Sequence, residues 1–529
     1  MFNKQITLTL MFIALVCISF QPVSASGSLN QTNASVVSDL NQTVGKDIMS
    51  LVDTNRLDIG NKPVFDIIWS PDGSHMLIDG FVSVHPKGKP DIDGWIDALY
   101  AANPNGSGIT RLAWAEFISI SGGKTITPPV WSQSGDYFAY VELEKGKRYE
   151  IKSANLFVMS NDLNLIQNVE LDAKMIELES DLSNFKWSPK ENKYAALVPG
   201  KIVIHDLDKK NELNFSISDD NTITDMEWSP DGEKLVFSKN DQEIITLDIE
   251  NEKFNQIYSA EQVGMYGEKW STDSKKLIFY EIKTSGKVDD VSYDIYLVDE
   301  DLEKPVKITT FNSGSSRMIQ WYPDSEKILV RKCSDDSCAL YSLSTTGKMK
   351  KLIEKNRDID GMVTPNGCIS AVSLNPNSTT PPYIRTYDLF LFNESDTLTI
   401  ENVSYYSWEG ADVLFATDYE ISVLNTSTHD TLEISLPMKK FEMLGLDPSR
   451  HYIAVDSIIF EIHEQGTHTQ ISAGNYTNST ASEVVTIKKD PDEHLSVNTT
   501  EETFRLPGFT TIIALMGVLI AFVYRHMKK

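Results

Sequence analysis

Trp228-Ser229-Pro230-Asp231-Gly232 runs through Glu233 into Lys234-Leu235-Val236-Phe237-Ser238. Proline presets φ at the first corner of a tight turn, Asp bonds its own backbone, and Gly takes the position hostile to a side chain. The residues before the turn, 223–228, read as a short strand, and 234–238 as its return. Segments 243–249 and 253–258 supply two more strands, so the phrase heads a four-stranded unit. The same four pieces recur at 268–270, 276–280, 293–298 and 306–309.

The phrase itself recurs along the chain. It stands at Trp69-Ser70-Pro71-Asp72-Gly73, Trp131-Ser132-Gln133-Ser134-Gly135, Trp187-Ser188-Pro189, Trp270-Ser271-Thr272-Asp273-Ser274 and Trp321-Tyr322-Pro323-Asp324-Ser325. Degenerate copies follow at Val363-Thr364-Pro365-Asn366-Gly367, Trp408-Glu409-Gly410 and Leu446-Asp447-Pro448-Ser449. Successive copies lie 62, 56, 41, 42, 51, 42, 45 and 38 residues apart. A period in the forties marks the blades of a β-propeller. No long 3.6-residue apolar stripe breaks the pattern, so helix is expected to be nearly absent. The repeated Trp69, Trp131, Trp187, Trp228, Trp270 and Trp321 sit at one fixed point per unit. There a large flat side chain can fill the wedge between sheets, with carbohydrate stacking as the alternative.

The Trp-Ser-Pro-Asp-Gly turn with Leu or Ile, any residue and Phe after it resembles the TolB-type, WD40-like β-propeller repeat. The resemblance covers roughly residues 60–470 and is sharpest at 69 and 228. It implies an all-β propeller of four-stranded blades. Nine phrases can be counted, and rings of six to eight blades are commoner. Eight blades are therefore expected, with seven and nine open, and residues 46–60 are one candidate for closing the ring.

Composition bounds the partners. The chain has 529 residues, 41% of them hydrophobic, enough to bury a core. Asp plus Glu number 75 against 48 Lys plus Arg, a net charge of −27. That excludes a nucleic-acid binder, which needs a basic face. Four basic residues sit in the two terminal segments, at Lys4, Arg525, Lys528 and Lys529, so the body between them carries 44 against 75, or −31.

Both ends read as addresses. Residues 1–25 show Lys4, an apolar run over 6–20 and Val23-Ser24-Ala25, the three parts of a signal peptide. Residues 26–59 are rich in Ser, Asn and Thr and read as an extended spacer, and 472–505 as a glycosylated stalk. The propeller is placed at 60–471. Residues 506–529 hold Leu506-Pro507-Gly508-Phe509, an apolar run to Tyr524 and a basic tail. A plain one-pass transmembrane anchor is one reading of this segment. Its order also resembles the archaeal PGF-CTERM sorting signal. That resemblance implies an archaeosortase-like processing enzyme acting at Pro507, Gly508 and Phe509, replacement of the helix by lipid, and a body on the outer membrane face.

Twelve Asn-x-Ser/Thr sequons start at Asn30, Asn33, Asn41, Asn105, Asn214, Asn377, Asn393, Asn402, Asn425, Asn475, Asn478 and Asn498. Each glycan would need an exposed loop. Cys333 and Cys338 flank a four-residue loop between strand-like runs and are a disulfide candidate. Cys368 is left without a partner once Cys17 departs with the leader.

Chemistry is sparsely signalled. No Gly-x-Ser-x-Gly elbow, His-Glu-x-x-His or phosphate loop is present. His205, His451 and His463 fall in strand-like stretches, where a structural role is the default. Asn356, Asp358 and Asp360, before Gly361, place oxygen ligands at alternate positions. That suits calcium, against a solvated acidic turn, and the distal Glu of a calcium loop is missing. No other cofactor is expected. The function expected is a surface-anchored, non-enzymatic propeller that binds proteins or glycans or scaffolds the envelope. The rival is an anchored polysaccharide lyase or hydrolase with a site dispersed over the central channel.

Overall fold

The computed structural model describes residues 32–464, apart from 177–183, 219–220, 266, 285–290, 300–303, 313–315, 335–336, 356–357, 376–385, 393–396, 410–411, 418–420, 429–430 and 437–443. The leader, stalk and C-terminal apolar run lie outside the described residues. Nine four-stranded antiparallel units follow one another, at 64–118, 130–171, 185–216, 223–259, 263–312, 316–355, 359–403, 405–435 and 444–464, the last completed by Thr32–Asp39. They are numbered blades 1 to 9. Blades 3 to 7 are separate sheets. Gly122–Ile126 bridges blades 1 and 2 by pairing with strands of both, and Thr32–Asp39 bridges blades 8 and 9.

Each blade buries both faces. Leu414 and Ala416 pack toward blade 9, while Val413 and Phe415 beside them pack toward blade 7. This is the period-two alternation of a strand, turned into two seams. Nine apolar clusters result, each shared by two consecutive blades, and the ninth joins blade 9 to blade 1 through Ile459, Phe65, Met76 and Ile78. An open row of nine blades has eight seams; the ninth closes a ring. The expected eight blades thus become nine. The degenerate copy at 446–449 makes a full turn, in which Tyr452 donates its N–H to Asp447 Oδ1 at 2.6 Å.

The turn works through its serine. In blade 4, Ser229 Oγ donates to Asp231 Oδ1 at 2.6 Å and accepts the N–H of Lys234 at 2.9 Å. Blades 1 and 5 repeat this through Ser70 and Ser271. The next corner needs positive φ, met by Gly73, Gly135, Gly232 and Gly367 and, where Gly is missing, by Ser274, Ser325 and Arg450. The serines have a second use. Ser274 Oγ accepts the N–H of Asp231 and Ser325 Oγ that of Asp273, each reaching the blade before its own.

The phrase Trp is a seam residue. The indoles of Trp131, Trp187 and Trp228 donate to the carbonyls of Ile68, Val130 and Lys186, each one blade back. Later blades replace that clasp with side chains. Glu227 accepts the N–H of Lys269, Glu268 that of Trp321, and Gln320 that of Val363.

The segment 26–59, expected as a spacer, belongs in part to the ring. Thr32–Asp39 lies antiparallel to Ile458–Glu464 as the outermost strand of blade 9, while Ile48, Val52 and Leu57 of 46–60 pack in the closing seam of blades 9 and 1. Leu40, Val44 and Ile48 then plug the seam between blades 9 and 1. An outermost strand faces water along most of its length, so a Ser/Asn/Thr-rich sequence suits it and hides it from apolar patterning.

A chain that starts at residue 44 lacks this strand and leaves the edge of Ile458–Glu464 bare. It is expected to melt well below the full chain and to aggregate. Scanning calorimetry checks this; an unchanged melting temperature would contradict the closing role.

Candidate binding cleft at the seam of blades 1 and 2

Blade 1 departs from the repeat in length. Its second strand, Met76–Pro86, has 11 residues, and its third and fourth, Gly94–Ala102 and Thr110–Ile118, have nine each. Register fixes which residues share a face. Asp66 lies opposite Asp79, Asp79 opposite Leu99, Phe81 opposite Asp97, and Trp95 opposite both Ser83 and Phe117. On that face Leu77, Leu99 and Ala115 pack on Phe138 and Tyr140 of blade 2. Asp66, Asp79, Phe81, Asp97, Trp95 and Phe117 lie on the same face.

There aromatic rings line the seam, Phe117 fully buried and Phe81 and Tyr149 reaching the surface. Trp95 and Phe117 meet at 4.6 Å between centroids, and Phe81 lies 6.5 Å from Trp95. Blade 2 contributes Tyr149, at the end of the short turn Lys147–Tyr149 with φ of 68°. Its ring stacks on Trp95 at 6.0 Å and 15° and lies 5.2 Å from Phe117. The Lys145 ammonium, also from blade 2, sits 5.7 Å from the centroids of both Trp95 and Phe117. Phe81 and Tyr149 remain 38% and 37% exposed.

The carboxylates beside these rings are perturbed. Burial, reinforced by the charge of Asp66, pushes Asp79 up to about 7. Asp66 reaches water from the innermost strand, yet protein crowds it enough that burial raises it too. Asp97 differs, since its Oδ2 accepts the Ile126 N–H at 3.1 Å. Among the described residues, neither Asp66 nor Asp79 has a hydrogen-bond or ion-pair partner. Further round the ring, burial and then Glu227 raise Glu268 to about 7.

The residues singled out in the sequence fall elsewhere. The six phrase tryptophans lie in seams, with Trp228, Trp270 and Trp321 buried. Cys333 and Cys338 face each other across adjacent strands and are bonded, while Cys368 is free and buried. His205 is buried beside Tyr194 with Gln167 at 3.1 Å, His463 meets Ser35, and His451 meets Ser449. Asp358 is drawn to Arg331 of blade 6, Asp360 lies beside Tyr406 of blade 8, and Asn356 lies outside the described residues.

Of the sequons, Asn105, Asn214 and Asn402 are exposed on turns or outer strands, and Asn41 is exposed with its amide on Ser457. Asn33 sits in the closing strand. Asn425 is a correction. It is 4% exposed, and its Oδ1 accepts the N–H groups of Ser427 and Thr428, so the folded blade closes it to a transferase. Asn30, Asn377, Asn393, Asn475, Asn478 and Asn498 lie outside the described residues, as do Pro507, Gly508 and Phe509. Sequence reading missed the aromatic cleft because its rings stand off the repeated phrase. The available signal was the 62-residue gap between the first two phrases, the longest of the series.

Comparison with known proteins gives a match to a WD40-like repeat domain over one stretch of the ring. Residues 185–273 match the family model of the anaphase-promoting complex subunit 4 WD40 domain. Protein HIR2 of Debaryomyces hansenii is 26% identical over 198 residues, which cover 34% of this chain and 20% of that protein. The chain therefore matches about a fifth of that relative's length. Among solved structures, Porphyromonas gingivalis dipeptidyl peptidase 4 aligns with a TM-score of 0.41 at 13% identity, covering 74% of this chain and 55% of that one. The tricorn protease aligns at 0.38 and 11%, covering 70% and 48%. A manganese-bound oligogalacturonate lyase aligns at 0.34 and 10%, covering 76% and 97%. No activity is carried over from any of them.

Asp79 sets a pH dependence. Its folded value lies above the ordinary carboxylate range, so the folded chain holds that proton more tightly than the unfolded one. The associated stability is present in full below pH ~4 and is lost as pH rises through about 7. Asp79→Asn is expected to flatten that part of the profile. At pH ~8 it should stabilise the fold by on the order of 1–2 kcal/mol, less than the full shift because the seam is partly open. Denaturant melts at several pH values measure it.

Cys333→Ser opens a short covalent loop and should cost about 2 kcal/mol by loop entropy. Non-reducing peptide mapping of the unmodified chain should recover the 333–338 link.

Proposed function

We propose that this chain is a cell-surface propeller that binds a protein or glycan partner through the loops of one ring face, without catalysing a reaction. The observation that carries the reading is the aromatic seam of blades 1 and 2, where Phe81 and Tyr149 are partly exposed beside Asp66 and Asp79. Regular seams serve packing, whereas a patch of partly exposed rings beside unpaired carboxylates costs stability and calls for a partner.

The address completes the proposal. The leader over 1–25, the stalk over 472–505 and the Pro507-Gly508-Phe509 signal would export the ring and hold it at the outer membrane face. An archaeosortase-like enzyme would process the tail of an archaeal glycoprotein. The sequons at Asn105, Asn214 and Asn402, exposed in the folded ring, fit that setting. The alternative, an anchored polysaccharide lyase or hydrolase, draws on Asp79 and Glu268, two carboxyls poised near neutrality where a general acid or base works.

The test is affinity capture from an envelope extract with the full chain in detergent, alongside incubation with a panel of acidic and neutral polysaccharides. The expected result is a saturable partner and no chain cleavage of any polysaccharide. Cleavage that Glu268→Gln or Asp79→Asn abolishes would establish the enzyme instead.

A further inference from the structure

We propose that the cleft between blades 1 and 2 takes an ammonium or guanidinium group, the lysine or arginine side chain of a partner protein. The proposal rests on the binding reading above and names the chemistry of its ligand. Three observations converge on it.

The first is the pair of acids. Glu281 accepts from Tyr258 at 2.9 Å, Asp294 pairs with Lys307 at 2.7 Å, and Asp412 pairs with Arg450, whereas Asp79 is half-buried and Asp66 exposed. Asp66 and Asp79 face each other across adjacent strands and have no such partner among the described residues. Two carboxylates so placed repel each other, and only a cation relieves that repulsion without protonating one of them. A sugar hydroxyl can donate to them but leaves the charge in place.

The second is the aromatic wall. Phe81 follows Asp79 by two residues on the same face, about 7 Å along the strand. Its ring continues through Trp95 to Tyr149. Aromatic faces beside acids are the surroundings that hold organic cations.

The third is a precedent inside the molecule. The same rings already neighbour one ammonium, that of Lys145, at 5.7 Å from Trp95 and from Phe117. Lys145 is buried at the blade 2 end, whereas Phe81 and the acids lie at the inner end. A second cation would therefore enter beside Phe81. A body of net charge −31 would draw it in.

The test uses the full chain in detergent micelles and a short labelled peptide alternating glycine and lysine, read by fluorescence polarisation at several salt concentrations. Asp66→Asn with Asp79→Asn should weaken binding on the order of tenfold, and Phe81→Ala several-fold. Glu250→Gln with Glu252→Gln removes the same charge from an exposed turn of blade 4 and should leave binding unchanged. Melting curves establish that each variant folds, and relieving the Asp66–Asp79 repulsion should keep the first one stable.

Equal losses in the two double variants would overturn the proposal in favour of diffuse attraction to an acidic surface. Undiminished binding of the lysine-acetylated peptide would overturn it as well. So would displacement by a neutral chitin oligosaccharide, which would make the cleft a glycan site. A partner captured from envelope extract equally by the parent chain and the Asp66/Asp79 variant would sink this inference and leave the binding function standing.

Discussion

A propeller blade has two apolar faces and cannot bury either alone. That requirement governs the molecule. Every blade here gives alternate residues of its middle strands to the blade before and the blade after. The arrangement is satisfied only when the last blade meets the first, which Ile459 and Phe65 accomplish with the plug of Leu40, Val44 and Ile48 between them. The fourth strand of each blade is released from the burden. Lys253–Ser259 and Asn211–Ser216 are largely exposed, so polar residues accumulate on the rim at little cost.

This division explains what could be read from the chain before folding. The turn phrase was legible because its geometry is local. Ser, Pro, Asp and Gly each satisfy a backbone need within a few residues, and the seam Trp recurs because the wedge recurs. The strands of blade 4 follow their expected bounds within a residue. The closing strand was illegible because an outer strand carries no apolar pattern, and its partner lies more than 400 residues away. Spacing brought Asn356, Asp358 and Asp360 forward as oxygen ligands, and in the folded ring Asp358 pairs with Arg331 while Asp360 lies beside Tyr406. Asn425 failed because a sequon motif is blind to burial. The aromatic cleft was invisible because rings on three strands and a loop of the next blade meet only once the register is set.

Stability alone does not account for the seam of blades 1 and 2. In the other seams the polar groups of the inner strands are put to use, as where Glu227, Glu268 and Gln320 receive backbone N–H groups from the following blade. Here burial, and then the charge of Asp66, push Asp79 up to about 7, and Tyr149 keeps a positive φ to lay its ring on Trp95. Features of this kind persist when something beyond the fold makes use of them.

The cleft and the closure of the ring share one strand. Along Met76–Pro86, Ile78, Val82 and Val84 face the closing plug, while Asp79 and Phe81 face blade 2. Gly80 stands between the two acidic and aromatic positions. A Cβ there would lie 3.2 Å from the Ala98 carbonyl and 3.4 Å from both Ile48 and Phe65. The plug is tied to blade 1 by charge as well, since Asp47 accepts from Tyr100 at 3.0 Å and pairs with Arg111 at 2.8 Å. The long strand is therefore clamped on its closure side and faces blade 2 on the other. Blade 9 is also where the ring's two ends meet, Thr32 lying opposite Glu464. A loosened clasp at that junction would reach the aromatic seam through a single strand, so the geometry of that seam is set by whether the ring is shut.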